Sequence, residues 1–183
     1  MKKPLLTLAA FAALICAGAA HAGADVGQWT VGAGGLWTNT DSDRGLDDGA
    51  VLGVSGGYAM SEKWDFSLSI FSGKLDNVGA AGKRSLKGIT FDFNRVYKRD
   101  QRISPYLLIG AGIIDQYRPG LSIADKEVVA KFGGGAVADL VTFGGGHKLQ
   151  LKLEGAARTS IGRHITDFTG GLGLQVAFSA GGN

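Results

Sequence analysis

A hydroxyl, a histidine and a carboxylate lie close together late in the chain. Thr159 and Ser160 are followed by His164 and Asp167, all within nine positions. In acyl transfer, a serine attacks when a histidine accepts its proton and an acid orients that histidine. Hydroxyls and acids are also ordinary loop residues, so these residue types alone are weak evidence. We predict that the chain is not an enzyme and keep catalysis as an alternative.

Metal chemistry has less support. An early segment carries four acids, Asp41, Asp43, Asp47 and Asp48. Carboxylates bind calcium, but these lack the full spacing of an EF-hand loop. A transition-metal site needs several ligands at suitable spacing, and the chain has three histidines, among them His147 after three glycines. We predict no metal site and no cofactor.

The first 22 residues differ from the rest. Lys2 and Lys3 precede an almost unbroken apolar run over residues 5–18, and small residues flank His21. This layout is typical of a cleaved secretory signal, and the run is short of the ~20 residues that span a membrane as a helix. Cys16, the one cysteine, would leave with it. We predict a signal peptide over 1–22 and one domain over 23–183.

Composition narrows the function classes. Removal of Lys2 and Lys3 leaves 17 basic against 16 acidic residues, which gives no reason to expect nucleic acid as a partner. Glycine accounts for 31 of 183 residues, far above the roughly 7% that is usual. Apolar residues nevertheless alternate with polar ones, which excludes a merely flexible chain.

Alternation is clearest over residues 64–70. Trp64, Phe66, Leu68 and Ile70 share one face of a strand because successive side chains point to opposite sides. The same pattern, with varying clarity, predicts eight strands over residues 28–37, 50–60, 64–70, 86–97, 105–114, 128–140, 149–158 and 168–178.

The predicted connections alternate in length. Long ones fall at 38–49, 74–85, 115–127 and 159–167, and short ones at 61–63, 98–104 and 141–148. An even strand number with long external loops and short periplasmic turns is typical of bacterial outer-membrane barrels. The pattern predicts an all-β, eight-stranded antiparallel up-and-down transmembrane β-barrel with both termini in the periplasm.

A membrane barrel points the apolar face of its strands outward, whereas a soluble, lipocalin-type barrel points that face into its interior. Charged side chains would be costly against lipid but can pair inside a narrow barrel. We therefore predict a luminal polar network of Asp92, Lys131, Asp139, Lys152, Glu154 and Arg158. Aromatics at strand ends predict membrane-interface positions for Trp29, Trp37, Tyr58, Trp64, Tyr97 and Phe178, with Tyr106 and Phe168 as further members.

Three strand segments, residues 105–112, 151–158 and 171–178, carry a resemblance to a known family. They read PYLLIGAG, LKLEGAAR and GLGLQVAF, and the chain resembles the outer membrane protein β-barrel domain family, which is related to the OmpA transmembrane domain. The sequence departs from the family in that Phe178 is followed by five further residues. We expect no peptidoglycan-binding domain.

The resemblance implies a Glu–Arg/Lys network inside the barrel, for which Glu154, Lys152, Arg158 and Lys131 are the candidates. It implies a monomer of the Gram-negative outer membrane, surrounded by lipid and lipopolysaccharide. During biogenesis it implies periplasmic chaperones and the barrel-assembly machinery as partners. The expected role is structural or surface interaction. A narrow porin-like channel and a lipid A-modifying enzyme remain alternatives.

Overall fold

The computed structural model of the protein describes residues 23–79, 81–117 and 125–179. The strands are β1 (Trp29–Asn39), β2 (Gly49–Ala59), β3 (Trp64–Asp76), β4 (Lys83–Val96), β5 (Ile103–Tyr117), β6 (Asp125–Thr142), β7 (Lys148–Ser160) and β8 (Thr166–Phe178). Each strand pairs antiparallel with the next, and β8 pairs with β1, so the sheet closes. The predicted fold class is confirmed. The predicted signal peptide lies outside the described residues.

Helical structure is confined to short turns in the described ranges. Single 3-10 turns occupy Ser42–Arg44 and Gly144–Gly146. Across residues 23–79, 81–117 and 125–179, no helix is both long enough and apolar enough to cross a membrane.

The apolar face of the sheet points outward. On β7, Leu153 is half exposed, whereas Gln150 and Arg158 on the opposite face are buried. The same outward direction holds around the barrel, where Leu52 is 74% exposed and Phe132 65%. Soluble monomers rarely expose such large contiguous apolar surfaces. The lipocalin-type alternative, which needs the apolar face inside, is therefore wrong.

We call the end where β1 begins and β8 ends the lower end, and the opposite one the upper end. Most strands extend further at the upper end than the sequence predicts: β3 reaches Asp76 and β4 begins at Lys83. Between strands the upper connections are residues 40–48, 77–82 and 161–165, with 118–124 outside the described residues. The lower turns are 60–63, 97–102 and 143–147. The first upper connection is long, as predicted, but the predicted length is wrong for 77–82 and 161–165, which have six and five residues and are no longer than the longest lower turn.

The interior changes character along the barrel axis. In the upper part, Leu36 packs against a buried apolar cluster of Leu46, Val51, Phe71, Leu75, Leu86, Ile114 and Val129. Buried charged and polar side chains lie beside this cluster at the mouth, and they also occupy the middle and lower parts together with two smaller apolar clusters. An eight-stranded barrel is just wide enough for side chains to fill it, so these layers form a packed core.

Candidate functional site

A charge network crosses the middle of the barrel. Lys131 Nζ of β6 donates to Asp92 Oδ2 of β4 at 2.9 Å and to Glu154 Oε1 of β7 at 2.7 Å. Lys152 Nζ lies 3.0 Å from Glu154 Oε2. Two cations thus face two anions, and alternation along β7 brings Lys152 and Glu154 to the same side of the sheet. The structure joins four of the six predicted luminal residues in this central network.

Tyr106 belongs to the interior, and the prediction of an interfacial position for it is wrong. The side chain is 4% exposed, and its hydroxyl lies 3.1 Å from Glu154 Oε2 and 3.2 Å from the Leu153 carbonyl oxygen. Tyrosine has an apolar ring and a polar tip, so its position at a strand end does not determine the direction in which it points. The neighbouring β6 glycines explain how the ring fits.

Gly135 provides that space. A β-carbon at Gly135 would overlap the Leu153 carbonyl oxygen and lie 2.6 Å from Tyr106 Oη. We expect Gly135→Ala to lower the free energy of unfolding by about 1–3 kcal/mol, the usual cost of overpacking a core. Urea unfolding in detergent micelles measures it, with Gly170→Ala, where a β-carbon meets nothing within 4 Å, as the matched control. An equal decrease in the free energy of unfolding of both variants would contradict the tight fit at Gly135.

A second polar group closes the lower end. Lys148 Nζ donates to Asp25 Oδ1 at 2.9 Å and to the Gly23 carbonyl oxygen, and it lies 3.9 Å from Asp139. Gln150 donates to Asp139 at 2.7 Å. The segment before β1 is thereby fixed across the barrel end. Asp139, a predicted luminal residue, belongs to this lower group and not to the central network.

Arg99 adds a further contact at the lower end. This residue of turn 97–102 donates to Asp65 Oδ1 at 2.5 Å and to the Ala24 carbonyl oxygen. Alternation along β3 places Asp65 on the face opposite Trp64 and Phe66, but it does not reveal a partner in a turn. A turn residue whose side chain folds back under the barrel leaves no periodic signal.

The upper mouth is covered by loop 40–48 through Arg44. Its side chain is fully buried, with Nη1 3.1 Å from Glu127 Oε2 and Nε 2.8 Å from Asp167 Oδ1. Arg158, the sixth predicted luminal residue, lies 3.9 Å from Asp167 and holds its guanidinium 4.9 Å from the Phe71 ring centre. Arg44 therefore ties the first loop to β6 and β8, a group that we call the upper clamp.

Local geometry turns Arg44 into the mouth. Asp41 caps the 3-10 turn, and Gly45 ends it in the left-handed region (φ 67°), which glycine adopts without strain. Leu46, 2% exposed, then enters the upper apolar cluster. Backbone N–H groups of Thr166 and Asp43 donate to Asp41 and hold the pKa of its carboxyl below the ordinary value. The signal in the sequence was an arginine and a leucine around a glycine in an otherwise acidic loop.

The interior of the described barrel includes two cavities. One of about 90 Å³ lies between the central network and the upper clamp, lined by Lys152, Glu154 and Arg158 on one side. Glycine-rich backbone of β1, β2 and β8 lines the other side. A lower one of about 40 Å³ shares Lys152 and Gln175 with the first. A cavity of this size has room for several water molecules.

The residues suited to acyl transfer are not assembled. Asp167 is bonded to Arg44, and the buried Ser160 Oγ has no hydrogen-bond partner in the described part of the chain. His164 is exposed, whereas Ser160 is 3% exposed. Thr159 Oγ1 lies 3.2 Å from Thr166 Oγ1, so its hydroxyl is engaged elsewhere. Within the described residues, no His, Cys, Asp or Glu group has the arrangement to hold a metal ion.

The predicted interface aromatics occupy the outer face. Trp29, Trp37, Trp64 and Tyr97 are between 38% and 57% exposed. The Tyr58 ring packs against Trp29, with ring centres 4.9 Å apart and planes tilted by 48°, and Trp29 also pairs in register with Phe178. Trp37 lies at the upper end and the others at the lower end. These residues lie at the two edges of the apolar belt, where the aromatic girdles of membrane barrels lie.

Comparison with known proteins identifies the family. The family model described as "Outer membrane protein beta-barrel domain" matches residues 7–181. The chain belongs to the outer membrane protein beta-barrel domain family. The resemblance read from three strands is thereby confirmed. A search of curated proteins found no match.

Solved structures of similar fold are outer-membrane barrels. The N-terminal barrel domain of Pseudomonas aeruginosa OprF matches with TM-score 0.61 at 14% identity, over 84% of this chain and 98% of that one. Neisserial surface protein A matches with TM-score 0.64 at 14% identity, over 82% and 97%. The attachment invasion locus protein Ail of Yersinia pestis matches with TM-score 0.52 at 14% identity, over 84% and 100%. At these identities the likeness establishes the fold of this family member.

Proposed function

We propose that this family member is an integral protein of the bacterial outer membrane with a sealed interior and a structural or surface-interaction role. Its family and its outward apolar face support the location, because lipid is the surrounding in which that face is stable. The termini and lower turns then lie in the periplasm, and the upper end faces the exterior. The loops and rim of the upper end are the surface available to partners.

One observation supports the proposal that the interior is sealed: buried side chains close the barrel at three levels. The Lys148 group lies across the lower end, the Lys131 network across the middle, and Arg44 with the upper apolar cluster across the mouth. Ionic groups buried in this way hold each other in place, because separating them leaves charges unpaired in a medium of low polarity. A passage for solutes would require several of these contacts to open together.

Conductance in planar bilayers tests the sealed interior. We expect no unitary current steps from the wild-type protein, with a general porin as the positive control for insertion. Lys152→Ala should also stay silent, because it enlarges the space between the two cavities while Arg44 still closes the mouth. Regular steps from the wild-type protein would overturn the proposal.

A narrow channel is the second candidate function, and the two cavities are the observation that favours it. They follow one another along the barrel and meet at Lys152 and Gln175. If only that contact blocked a passage, the Lys152→Ala variant would conduct and the wild-type protein would conduct weakly. Silence of both leaves the sealed barrel as the better account.

The absence of an assembled triad leads to a separate prediction about catalysis. We expect Ser160→Ala and His164→Ala to leave the lipid A composition of the outer membrane unchanged, because Ser160 and His164 do not share a hydrogen bond. Mass spectrometry of extracted lipid A, compared with a strain that lacks the protein, measures this. A change of lipid A that depends on either side chain would instead support the enzyme.

A further inference from the structure

The upper rim of the barrel is charged on one side only. Strands β3, β4, β5 and β6 continue above the apolar belt, and their outward side chains there include Lys74, Lys83, Lys87, Lys126, Asp76 and Asp115. Among the outward strand residues of β7, β8, β1 and β2, all of which the structure describes, none is charged. We call the four lysines the basic rim.

Strand register places this rim directly against the belt. Ile70, Ile89, Ile113 and Val128 form a continuous outward row across the four strands. The next row upward pairs Lys87 with Asp115 and Asp115 with Lys126. Lys74 lies one row higher, opposite Ser85, and Lys83 forms an ion pair of 3.4 Å with Asp76 above it.

The height of the row matches a membrane surface. An apolar band of ~25 Å and tilted strands correspond to roughly ten residues per strand. Ten residues separate Tyr97, at the lower aromatic girdle, from Lys87 on β4. A lysine at this height extends its alkyl chain along the belt and places its ammonium group among lipid headgroups.

The charges on the rim are not balanced within it. Four lysines face two aspartates, and Asp76 is already paired with Lys83. Loop 40–48, which carries the exposed Asp43 and Asp47, contacts the β3–β4 end of the rim, where the Asp47 N–H donates to the Asp76 carbonyl oxygen. Lys87 lies two outward rows below Asp76, next to the belt. A sealed barrel leaves this outer surface, not the lumen, as the place for an extended anionic partner.

We propose that the basic rim binds the phosphate groups of an anionic glycolipid in the outer leaflet. Lys87 and Lys126 are the central contacts, and Lys74 and Lys83 flank them on β3 and β4. The acyl chains then pack on the isoleucine row beneath, so a single lipid is held by charge above and apolar contact below. The inference rests on the proposed membrane location and adds a ligand class to it.

The test is binding of bisphosphorylated lipid A to the folded protein in detergent micelles, read by native mass spectrometry. Attraction to an anionic surface corresponds to roughly fivefold in affinity per lysine. We expect Lys87→Gln with Lys126→Gln to weaken binding by roughly tenfold to thirtyfold. The double variant Lys63→Gln with Lys98→Gln removes the same charge from exposed lower turns and should bind as the wild-type protein does.

Two further binding measurements identify which part of the ligand is recognised. Lipid A without its phosphates should bind equally weakly to all three proteins, and inorganic phosphate should not displace the intact lipid. Equal affinity of the two double variants, no preference for the phosphorylated lipid, or displacement by inorganic phosphate would each overturn the proposal. A heat-dependent mobility shift shows that each variant is folded, so a negative result concerns the rim and not the proposed membrane location.

Discussion

Lys131→Met is expected to lower the free energy of unfolding by about 3–5 kcal/mol, the usual cost of removing one partner from a buried ion pair. Lys131 is 7% exposed and is the only described cation bonded to both Asp92 and Glu154. Methionine fills a similar volume, so the loss reports charge and not packing. Two carboxylates would then share the single cation Lys152.

Urea unfolding in micelles measures this loss. Tryptophan fluorescence is a suitable signal because Trp29, Trp37 and Trp64 all lie on the outer face. Lys63→Met, at an exposed turn position, should stay within about 0.5 kcal/mol of the wild-type protein.

Charge balance supplies the decisive control. Adding Asp92→Asn to Lys131→Met leaves one cation and one anion in the network and should recover part of the lost stability. Recovery would show that the unpaired carboxylate causes the loss. A single variant as stable as the wild-type protein would contradict the role given to the central network.

Arg44→Met is expected to release the first loop and to lower the free energy of unfolding by about 3 kcal/mol. The Arg44 side chain is fully buried, and its guanidinium forms ion pairs with Glu127 and Asp167. The neighbouring Arg158 and Arg163 lie 3.9 Å and 3.3 Å from these acids and compensate only in part.

Limited proteolysis at aspartate residues reports the release. Asp43 and Asp47 flank Arg44, so the loop should resist cleavage in the wild-type protein and be cut in Arg44→Met. Arg44→Lys is the matched variant, because lysine keeps the charge but lacks the planar group that reaches two acids at once. It should give intermediate protection. Equal resistance of all three proteins would mean that Arg44 does not hold the loop.

The sequence predicts the outer face well because lipid imposes one simple demand on it. Along β3 and β7 every outward residue of the belt is apolar and every inward one polar or small, so period-two alternation was a reliable guide. The same rule predicts that Lys131, Lys152 and Glu154 point into the interior.

The upper strand ends were missed because the alternation changes phase there. Phe71 and Leu75 point inward to the apolar cluster, while Ser72 and Lys74 point outward above the belt. Apolar residues thus move from one face to the other just after Ile70, and this looks like the end of a strand. One side of the upper interior is an apolar cluster, a property that local alternation does not reveal.

Arg44 and Tyr106 were not found for a different reason. Arg44 lies in a loop, and its partners Glu127 and Asp167 are more than 80 residues away in sequence. Tyr106 faces inward because Gly135 leaves room for its ring, a fit between two strands. Both depend on contacts between segments that are distant in the sequence.

The most direct test of the account is electrophoresis of the outer-membrane fraction, with unboiled and boiled samples compared. We expect the protein in that fraction and a shift in mobility on boiling, because a closed barrel resists detergent until it is heated. Protein recovered in the soluble periplasmic fraction, with no shift on boiling, would contradict a lipid-facing barrel.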